Sequence, residues 1–318
     1  MDKSTKTQNF DEEKYLDLLN DIIMFGVKRD DRTGVGTKSL FGTTLTFVLQ
    51  KPERDSPVND GMFSTRFPLL TTKKIFWKGV VEELLWFISG STNANILSEK
   101  GVKIWNGHSS REFLDKRGFL EREAGDVGPM YGFQWRHFGA KYVDYHTDYY
   151  GQGVDQLRNC INLIKNDPYS RRIIMSAWNA SDIDNMSLAP CHCTVQFIVY
   201  DKYEGFKNEP KLLICIVYQR SADMGLGVPF NVASYSLLTC MIAHSCGLIP
   251  VKLVHVMGDC HIYYNHIEGL SQQLDRTPKP FPKLKFNCEP KDIDDYTSKD
   301  FEIVDYDPYP AIKLDLAI

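Results

Sequence analysis

Residues 188–197 read LAPCHCTVQF and place two cysteines on either side of a histidine, directly after a proline. A thiol in this setting could belong to a metal site, a redox pair or a nucleophilic catalyst. Because side chains alternate along an extended strand, we expect Cys191 and Cys193 to share one face and His192 to point the other way. Cys191 stands at the strand entrance, where its thiol can face a cleft, whereas Cys193 is interpreted as a small core residue.

Neither a metal nor a disulfide suits this stretch. Zinc takes about four ligands, and no second CxxC or HxxxH element completes the set. Residues two apart on an extended strand have Cα atoms about 6.6 Å apart, near the upper limit for a disulfide, and roughly parallel Cβ vectors. The sequence therefore predicts no metal site and favours a single nucleophilic thiol at Cys191.

Arginines at the ends of predicted elements supply the positive charge that favours a thiolate. DDRTG places Arg32 in a tight turn. PYSRRIIM places Arg171 and Arg172 at the start of a strand. YQRSADMGLGVPFN places Arg220 beside Ser221 at the end of another strand. Each arginine alone is typical of a solvated surface charge, but together with the thiol and the hydroxyl they indicate a phosphorylated substrate held beside a nucleophile.

The elements that must position these residues mix helix and strand, with no composition shift that marks a domain boundary. Apolar residues at helical spacing predict a first helix over residues 11–28, and KGVVEELLWFIS, closed by Gly90, is typical of a buried helix. Further helices are predicted at VDQLRNCINLIKN and residues 230–246. The predicted strands are KSLFGTTLTFVL, RRIIMSAW, CHCTVQFIVY, KLLICIVYQ and VKLVHVM. Mixed α and β packing follows.

Composition excludes several classes of protein. The chain has 318 residues, 43% of them hydrophobic, which is enough for a large core and argues against disorder. Its eight cysteines have no repeated spacing and its first residues, MDKSTKTQNF, lack a signal sequence, so we expect reduced thiols in an intracellular protein. No apolar run approaches the roughly 18 residues of a membrane span. A net charge of −4 opposes broad nucleic-acid binding, and the sequence gives no basis for inferring a secondary RNA interaction.

Longer motifs resemble the thymidylate synthase family. In chain order they are FPLLTTKK, EELLWFISGSTNA, GVKIW, GPMYGFQWRHFGA, RRIIMSAWN, APCHC, YQRSADMGLGVPFN and GDCHIYYNH. The resemblance runs from about residue 11 to residue 318, and several motifs exceed eight residues. Two charged, turn-rich segments lie outside it, near residues 51–60 and 201–210, and are predicted to be surface insertions.

The resemblance implies an α+β fold in which residues 1–318 form a single large domain. Its sheet would be mixed and largely antiparallel, packed by helices, and would form the interface of a homodimer. The implied reaction is reductive methylation of deoxyuridylate to thymidylate, with 5,10-methylene tetrahydrofolate as the co-substrate that gives carbon and hydride, and with no metal. The implied location is cytoplasmic, which allows a nuclear pool. A related hydroxymethylase would let water capture the methylene, and a cytidylate-specific one would be expected to carry aspartate in place of Asn231.

The resemblance also assigns roles residue by residue. Cys191 would add to C6 of the uracil ring, Glu83 would organise proton transfer with His192 and Tyr131, and Asp223 is a further catalytic candidate. The nucleotide ligands would be Arg32, Gln219, Arg220, Ser221, Asn231, His261 and Tyr263, joined by Arg171 and Arg172 from the partner subunit. For both of these last arginines to reach one phosphate, they must lie in the loop ahead of the strand. The folate contacts would be Ile104, Trp105, His108, Asp223, Leu226, Gly227, Phe230 and Ala317, the last within a tail, KLDLAI, that closes over the bound pair. His108 departs from the asparagine or tryptophan usual in the family.

Overall fold

The computed structural model describes residues 8–50, 66–201 and 211–316. The predicted insertion at 51–60 and all of the one at 201–210 except Asp201 lie outside these residues. The helices of the described ranges are α1 Phe10–Phe25, α2 Trp77–Ile88, α3 Asn95–Glu99, α4 Asn106–Ser109, α5 Arg111–Lys116, α6 Gly132–His137, α7 Gln156–Asn166, α8 Gly227–Cys246 and α9 Ile267–Leu274. The strands are β1 Val27–Arg29, β2 Thr37–Val48, β3 Ile174–Ser176, β4 His192–Tyr200, β5 Leu212–Asp223, β6 Ile249–Tyr263, β7 Lys283–Phe286 and β8 Phe301–Val304.

Six strands form one sheet in the order β1-β2-β6-β5-β4-β3. The pair β5 and β6 is parallel, and its neighbours in the sheet pair antiparallel. Parallel strands need a long crossover, which α8 supplies between them. Strands β7 and β8 form a separate antiparallel pair. The predicted α+β fold, with a mixed and largely antiparallel sheet packed by helices, is confirmed.

The helices that cover the sheet follow from their sequences. Asn9 caps α1 by accepting a hydrogen bond from the Glu12 amide at 3.4 Å, and Tyr15, Leu19 and Ile22 are fully buried at helical spacing. Helix α8 is apolar on nearly all sides because it is buried on nearly all sides. In the described ranges, none of the helices combines the length and the apolar character needed to cross a bilayer.

The two faces of the sheet differ in exposure. Along β4 and β5 one face is buried, with Val195 paired to Val217 and Phe197 paired to Cys215. The other face, here called the open face, carries apolar side chains that no helix covers. Three of them are exposed by 45%, 38% and 45% of their surface, namely Ile174, Ile198 and Tyr218. Large apolar patches left open on a sheet are typical of protein interfaces.

Two predicted elements have different bounds in the structure. The first helix ends at Phe25, three residues before its predicted end, because the chain becomes extended at Gly26 and continues as β1 beside β2. In RRIIMSAW only Ile174–Ser176 is strand, since the arginines lie in the preceding turn.

Candidate active site

A cavity of 510 Å³ opens where β4 begins and where β5 and β6 end. Helix α2, the start of α8 and the C-terminal segment complete its wall. Eighteen of the residues singled out in the sequence line it: Arg32, Glu83, Ile104, Trp105, His108, Tyr131, Cys191, His192, Gln219, Arg220, Ser221, Asp223, Leu226, Gly227, Phe230, Asn231, His261 and Tyr263. The fold thus brings together side chains that are spread over most of the sequence.

The thiol of Cys191 and the ring of His192 both line the cavity. Strict alternation would have turned His192 away from Cys191, and that prediction was wrong. Strand β4 begins only at His192, so Cys191 lies in the bend ahead of it and strand alternation does not apply to this pair. Cys193 is 6% exposed and its Sγ lies 3.5 Å from the carbonyl oxygen of Pro190, so it packs in the core behind the cavity.

Tyr131 contacts both Cys191 and His192. Its hydroxyl accepts a hydrogen bond from the Cys191 amide at 2.8 Å, and its ring stacks on His192 with centroids 4.2 Å apart. Tyr131 has φ 34°, a left-handed value that is uncommon for a residue other than glycine. Burial lowers the pKa of His192 to about 3, and its Nδ1 lies 2.5 Å from the Tyr235 hydroxyl, so the ring is neutral near pH 7.

Arg220 clamps the loop that leads into the nucleophile. Its Nε donates to the Pro190 carbonyl at 2.8 Å, its Nη2 donates to the Ala189 carbonyl at 2.9 Å, and its backbone amide donates to the Cys191 carbonyl at 2.8 Å. Burial raises the pKa of the Cys191 thiol above its usual value, although the charges of Arg220 and Arg32 oppose this. The arginines therefore act in the expected direction, but in the isolated chain burial outweighs them.

Glu83 is a buried carboxyl on α2. Its Oε1 accepts a hydrogen bond from Trp105 Nε1 at 2.7 Å. Burial raises the pKa of Glu83 to about 7, and the hydrogen bond from Trp105 offsets part of the rise. A carboxyl with a pKa near the working pH can both donate and accept a proton, which suits general acid–base chemistry.

Two side chains of β5 are fixed by hydrogen bonds at the cavity wall. His255 Nε2 lies 2.8 Å from the Gln219 Oε1, which can only accept, so His255 donates and orients the Gln219 amide. The Asp223 carboxylate accepts from the amides of Gly225 and Leu226 at 2.8 and 3.2 Å. Burial raises the pKa of Asp223, but contact with His266 and these hydrogen bonds outweigh it and hold the pKa below its usual value.

His108 lines the cavity with a nearly buried ring. The residue is 7% exposed, and within the described residues its buried Nε2 has no hydrogen-bond partner. Its ring contacts Trp105 and Phe113 with centroids 6.1 and 5.2 Å away. Burial, and then the charge of Arg32, lower the pKa of His108 to about 4, so the ring is neutral near pH 7.

Sequence reasoning missed Lys73, a buried cation in the cavity wall. It is 4% exposed, and its Nζ donates to the Gly225 carbonyl. Burial lowers the pKa of Lys73 to about 8. The motif FPLLTTKK contained this lysine, but no periodicity distinguished it from a surface lysine. The other lining residues that were not singled out are Lys74, Ile75, Phe76, Leu188, Gly225, Pro229 and Ile312, whereas Leu316 belongs to the predicted closing tail KLDLAI.

Comparison with known proteins decides the family. The sequence profile described as thymidylate synthase matches residues 13–318. The chain belongs to the thymidylate synthase family. It is 54% identical over 312 residues to the thymidylate synthase of Saccharomyces cerevisiae, with 98% of each chain covered.

Bifunctional proteins are also among the relatives of this thymidylate synthase family member. The chain is 56% identical over 304 residues to bifunctional dihydrofolate reductase-thymidylate synthase 2 of Arabidopsis thaliana, covering 96% of this chain and 50% of that protein. It is 54% identical over 308 residues to the bifunctional protein of Zea mays, covering 97% of this chain and 55% of that one. The chain therefore spans about half the length of these bifunctional relatives.

Two residues that the thymidylate synthase resemblance singled out do not line the cavity, and a third lies outside the described residues. Arg171 and Arg172 are exposed and lie in the turn ahead of β3, in the loop position that sequence reasoning required. Ala317 lies outside the described residues. Within the parts of the chain that the structure describes, no three His, Cys, Asp or Glu side chains are grouped as a metal site.

Proposed function

We propose that this member of the thymidylate synthase family converts deoxyuridylate to thymidylate. The co-substrate 5,10-methylene tetrahydrofolate supplies the carbon and the hydride and leaves as dihydrofolate. One observation carries the proposal: the Cys191 thiol, the Glu83 carboxyl and the guanidinium groups of Arg32 and Arg220 meet in a single cavity of 510 Å³. A nucleophile, an acid–base group and cations for a phosphate are what this reaction needs in one place.

Cys191 makes the pyrimidine reactive. C5 of uracil is too weak a nucleophile to attack the folate methylene by itself. Addition of the Cys191 thiolate to C6 turns the ring into an enolate, and C5 then forms the new carbon–carbon bond. Loss of the C5 proton releases tetrahydrofolate and leaves an exocyclic methylene. Hydride transfer from that tetrahydrofolate reduces the methylene to methyl, and the Cys191 sulfur leaves C6.

Glu83, Tyr131 and His192 handle the protons of this sequence. The pKa of Glu83 near 7 lets the carboxyl give and take a proton at neutral pH. His192 is neutral, so it contributes hydrogen bonds rather than charge. Tyr131 holds the Cys191 amide and so fixes where the sulfur stands relative to the ring. Asp223 is proposed to act at the border of the nucleotide and the folate.

The rest of the wall suits a nucleotide. Arg32, Arg220 and Ser221 are proposed to bind the phosphate, because guanidinium groups match phosphate geometry. His261 and Tyr263 are proposed to hold the ribose hydroxyl. The amide of Asn231 can donate to O4 and accept from N3–H of uracil, and Gln219, oriented by His255, lies beside it in the wall.

The residues beside the nucleotide pocket fit a folate. Ile104, Trp105 and Phe230 offer apolar surface to a flat ring system. His108, whose ring lines the same wall, is proposed as a further folate contact. Leu226, Gly227 and Ala317 complete the proposed folate contacts.

A homodimer built on the open face would complete the site. The face leaves Ile174, Ile198 and Tyr218 partly exposed, which favours burial against a second copy. Arg171 and Arg172 lie at the edge of the same sheet and would reach the partner's phosphate. Their charges would also lower the pKa of the partner's thiol, which burial alone raises. A cytoplasmic location that allows a nuclear pool remains a prediction.

The decisive assay supplies deoxyuridylate and methylene tetrahydrofolate and follows the appearance of dihydrofolate together with thymidylate. Equal amounts of both products are expected, with none from deoxycytidylate. Cys191→Ser serves as the matched inactive control. A hydroxymethylated nucleotide formed without dihydrofolate would instead assign the hydroxymethylase reaction.

A further inference from the structure

The last described residues of the chain form part of the cavity wall. The Tyr309 amide donates to the Thr71 carbonyl at 2.7 Å, and the Pro310 carbonyl accepts from Arg276 Nη1 at 2.8 Å. Beyond these anchors, Ile312 and Leu316 line the cavity. We call residues 309–316 the C-terminal segment.

His266 forms a hydrogen bond with the C-terminal segment. The residue is fully buried in the turn between β6 and α9, and its Nε2 lies 2.7 Å from the Asp315 carbonyl oxygen. A carbonyl can only accept, so Nε2 carries a proton and donates it. The hydrogen bond therefore ties the backbone of the C-terminal segment to a rigid part of the fold.

The other nitrogen of the same ring faces the cavity carboxylate. His266 Nδ1 lies 3.8 Å from Asp223 Oδ1, within ion-pair distance but too far for a hydrogen bond. Burial lowers the pKa of His266, but contact with Asp223 and the Asp315 carbonyl outweighs burial and the nearby Lys73 charge, so the pKa is raised. The ring thus bridges Asp223 and the C-terminal segment.

Gly225 lets these parts approach closely. A Cβ built on Gly225 would lie 2.7 Å from His266 Nδ1 and 3.3 Å from Leu314 Cδ1. Real Cβ atoms essentially never come within 3.0 Å of another group, so any side chain here would push the ring or the segment away. The Asp223 turn, the imidazole and the C-terminal segment are therefore packed as one unit.

We propose that His266 is a positioning residue that couples the C-terminal segment to Asp223. A ligand that engages Asp223 fixes the carboxylate, the carboxylate fixes the ring, and the ring holds the segment over the cavity. The identity of that ligand as a folate rests on the proposed function. The coupling itself depends only on contacts within the chain.

Two substitutions of His266 distinguish the contact made by Nε2 from the contact made by Nδ1. The amide nitrogen of glutamine reaches about as far as Nε2, whereas that of asparagine reaches about as far as Nδ1. In ligand-free protein, His266→Gln should keep the hydrogen exchange of the C-terminal segment near the wild-type rate. His266→Asn should speed it by at least about fivefold, the effect of losing one hydrogen bond. His244→Asn replaces a buried histidine that contacts Tyr296, and it should leave this exchange unchanged.

Equal exchange in the two His266 variants, or wild-type exchange in both, would overturn the proposal. A truncation that ends at Leu314 provides a second route, because it removes the acceptor carbonyl of Asp315 along with the cavity-lining Leu316. The truncation and His266→Asn should each raise the KM for the folate at least about fivefold. Together they should raise the KM no more than the truncation alone, because the truncation has already removed the carbonyl that His266 contacts. Affinity for deoxyuridylate in equilibrium dialysis should stay within about twofold in these variants.

Independent, multiplying effects on KM would also reject the coupling. The exchange measurements need no turnover, so they test the coupling independently of the proposed function. If the wild-type protein shows no turnover of deoxyuridylate, the proposed function fails, and the exchange measurements still decide whether His266 holds the segment.

Discussion

Burial sets the protonation of the side chains in the cavity. It raises the pKa of Glu83 to about 7 and lowers the pKa of His192 to about 3. It also raises the pKa of the Cys191 thiol against two arginines. Because the charged form of each group is disfavoured, each stays neutral more readily than in water. The site is thus arranged to move protons rather than to store charge.

The raised pKa of Glu83 should appear as a pH-dependent stability. Its pKa rises from the ordinary 4.5 to about 7 in the fold, so the folded state binds more protons between these values. The stabilisation is fully present below pH 4.5 and is lost as the pH rises through 7. From pH 5 to pH 8 the free energy of unfolding should fall by about 2 to 3 kcal/mol more in the wild type than in Glu83→Gln.

Urea unfolding at the two pH values measures this difference. Glu82→Gln is the matched control, since it removes a carboxylate from the same turn of α2, one that pairs with Lys100 at 2.8 Å. It should keep the wild-type change with pH. If Glu83→Gln also kept it, Glu83 would not titrate in this range.

The two cysteines around His192 should differ sharply in their effect on turnover. Cys191→Ser replaces the nucleophile by a neutral hydroxyl and should lower kcat at least about 10⁴-fold, as removal of other nucleophiles does. It should leave binding of deoxyuridylate, measured by dialysis, largely intact. Cys193→Ser should keep turnover, because Sγ of Cys193 contacts backbone carbonyls behind the cavity. The opposite pattern would move the nucleophile to Cys193.

Sequence reasoning predicted which residues form the site better than it predicted which way their side chains point. Cys191, Arg220 and Glu83 were singled out by residue type and neighbours, and the fold brings them to one cavity. Alternation failed between Cys191 and His192 because the strand begins at His192, one residue later than expected. Where a strand begins depends on its pairing, here with β5, which the local sequence does not display. Lys73 was missed because its burial depends on Asp223 and Gly225, about 150 residues away in the chain.

The element that holds the site together is the β5–α8–β6 crossover. Strand β5 supplies Gln219 to Asp223, the first turn of α8 supplies Asn231, and β6 ends in His261 and Tyr263. The crossover must end cleanly for β6 to enter the sheet parallel to β5. Gly247 ends α8 in the left-handed conformation, at φ 67° and ψ 36°, and the Leu248 amide then bonds to the Ala243 carbonyl at 2.8 Å.

Replacing Gly247 should lower the free energy of unfolding only through the strain of its left-handed backbone. A Cβ on Gly247 would meet no atom within 4 Å, so Gly247→Ala should destabilise the fold by about 1 to 2 kcal/mol, the cost of the left-handed region, and Gly247→Asn by less. Thermal unfolding measures both.

Gly132 provides the contrast at the start of α6. A Cβ there would lie 2.5 Å from the Phe87 carbonyl oxygen, so Gly132→Ala should cost clearly more than Gly247→Ala. Equal losses of stability at the two positions would show that contact with the Phe87 carbonyl does not set the cost at Gly132.

Elements with long periodic patterns were predictable, and short ones were not. Helix α7 and strand β4 follow directly from apolar spacing in their sequences. Helices α3, α4 and α5 span four to six residues each, too few for a period to show. Their positions depend on contacts with distant segments, such as the bond from the Ala94 amide to the Gly125 carbonyl at 2.8 Å.

At the scale of the whole molecule, the open face and the turn before β3 point to a site shared between two copies of the chain. The open face exposes apolar residues on β3, β4 and β5. Arg171 and Arg172 lie beside it, away from the cavity of their own chain. If these arginines serve the neighbour, activity becomes a property of the pair.

Mixed dimers test this arrangement. Arg172→Ala and Cys191→Ser homodimers should each be nearly inactive, the first for lack of a phosphate ligand and the second for lack of a nucleophile. Refolding an equal mixture makes half the dimers mixed, and each of these has one intact site. About a quarter of wild-type activity should therefore return, if sites act independently. No recovery, with the unmutated protein refolding normally, would mean that Arg172 serves its own chain.

The pairing of β2 with β6 has a consequence for how the protein is made. Thr37 pairs with Tyr263, and Val48 pairs with Lys252. At about 5 to 20 residues per second, a ribosome needs of the order of 10 to 40 s to make the chain between those partners. During that time only the short strand β1 can pair with β2, and the side chains of Leu45 and Phe47 have no core in which to be buried. We therefore expect that delayed translation of β6 increases aggregation more than delayed translation of β8.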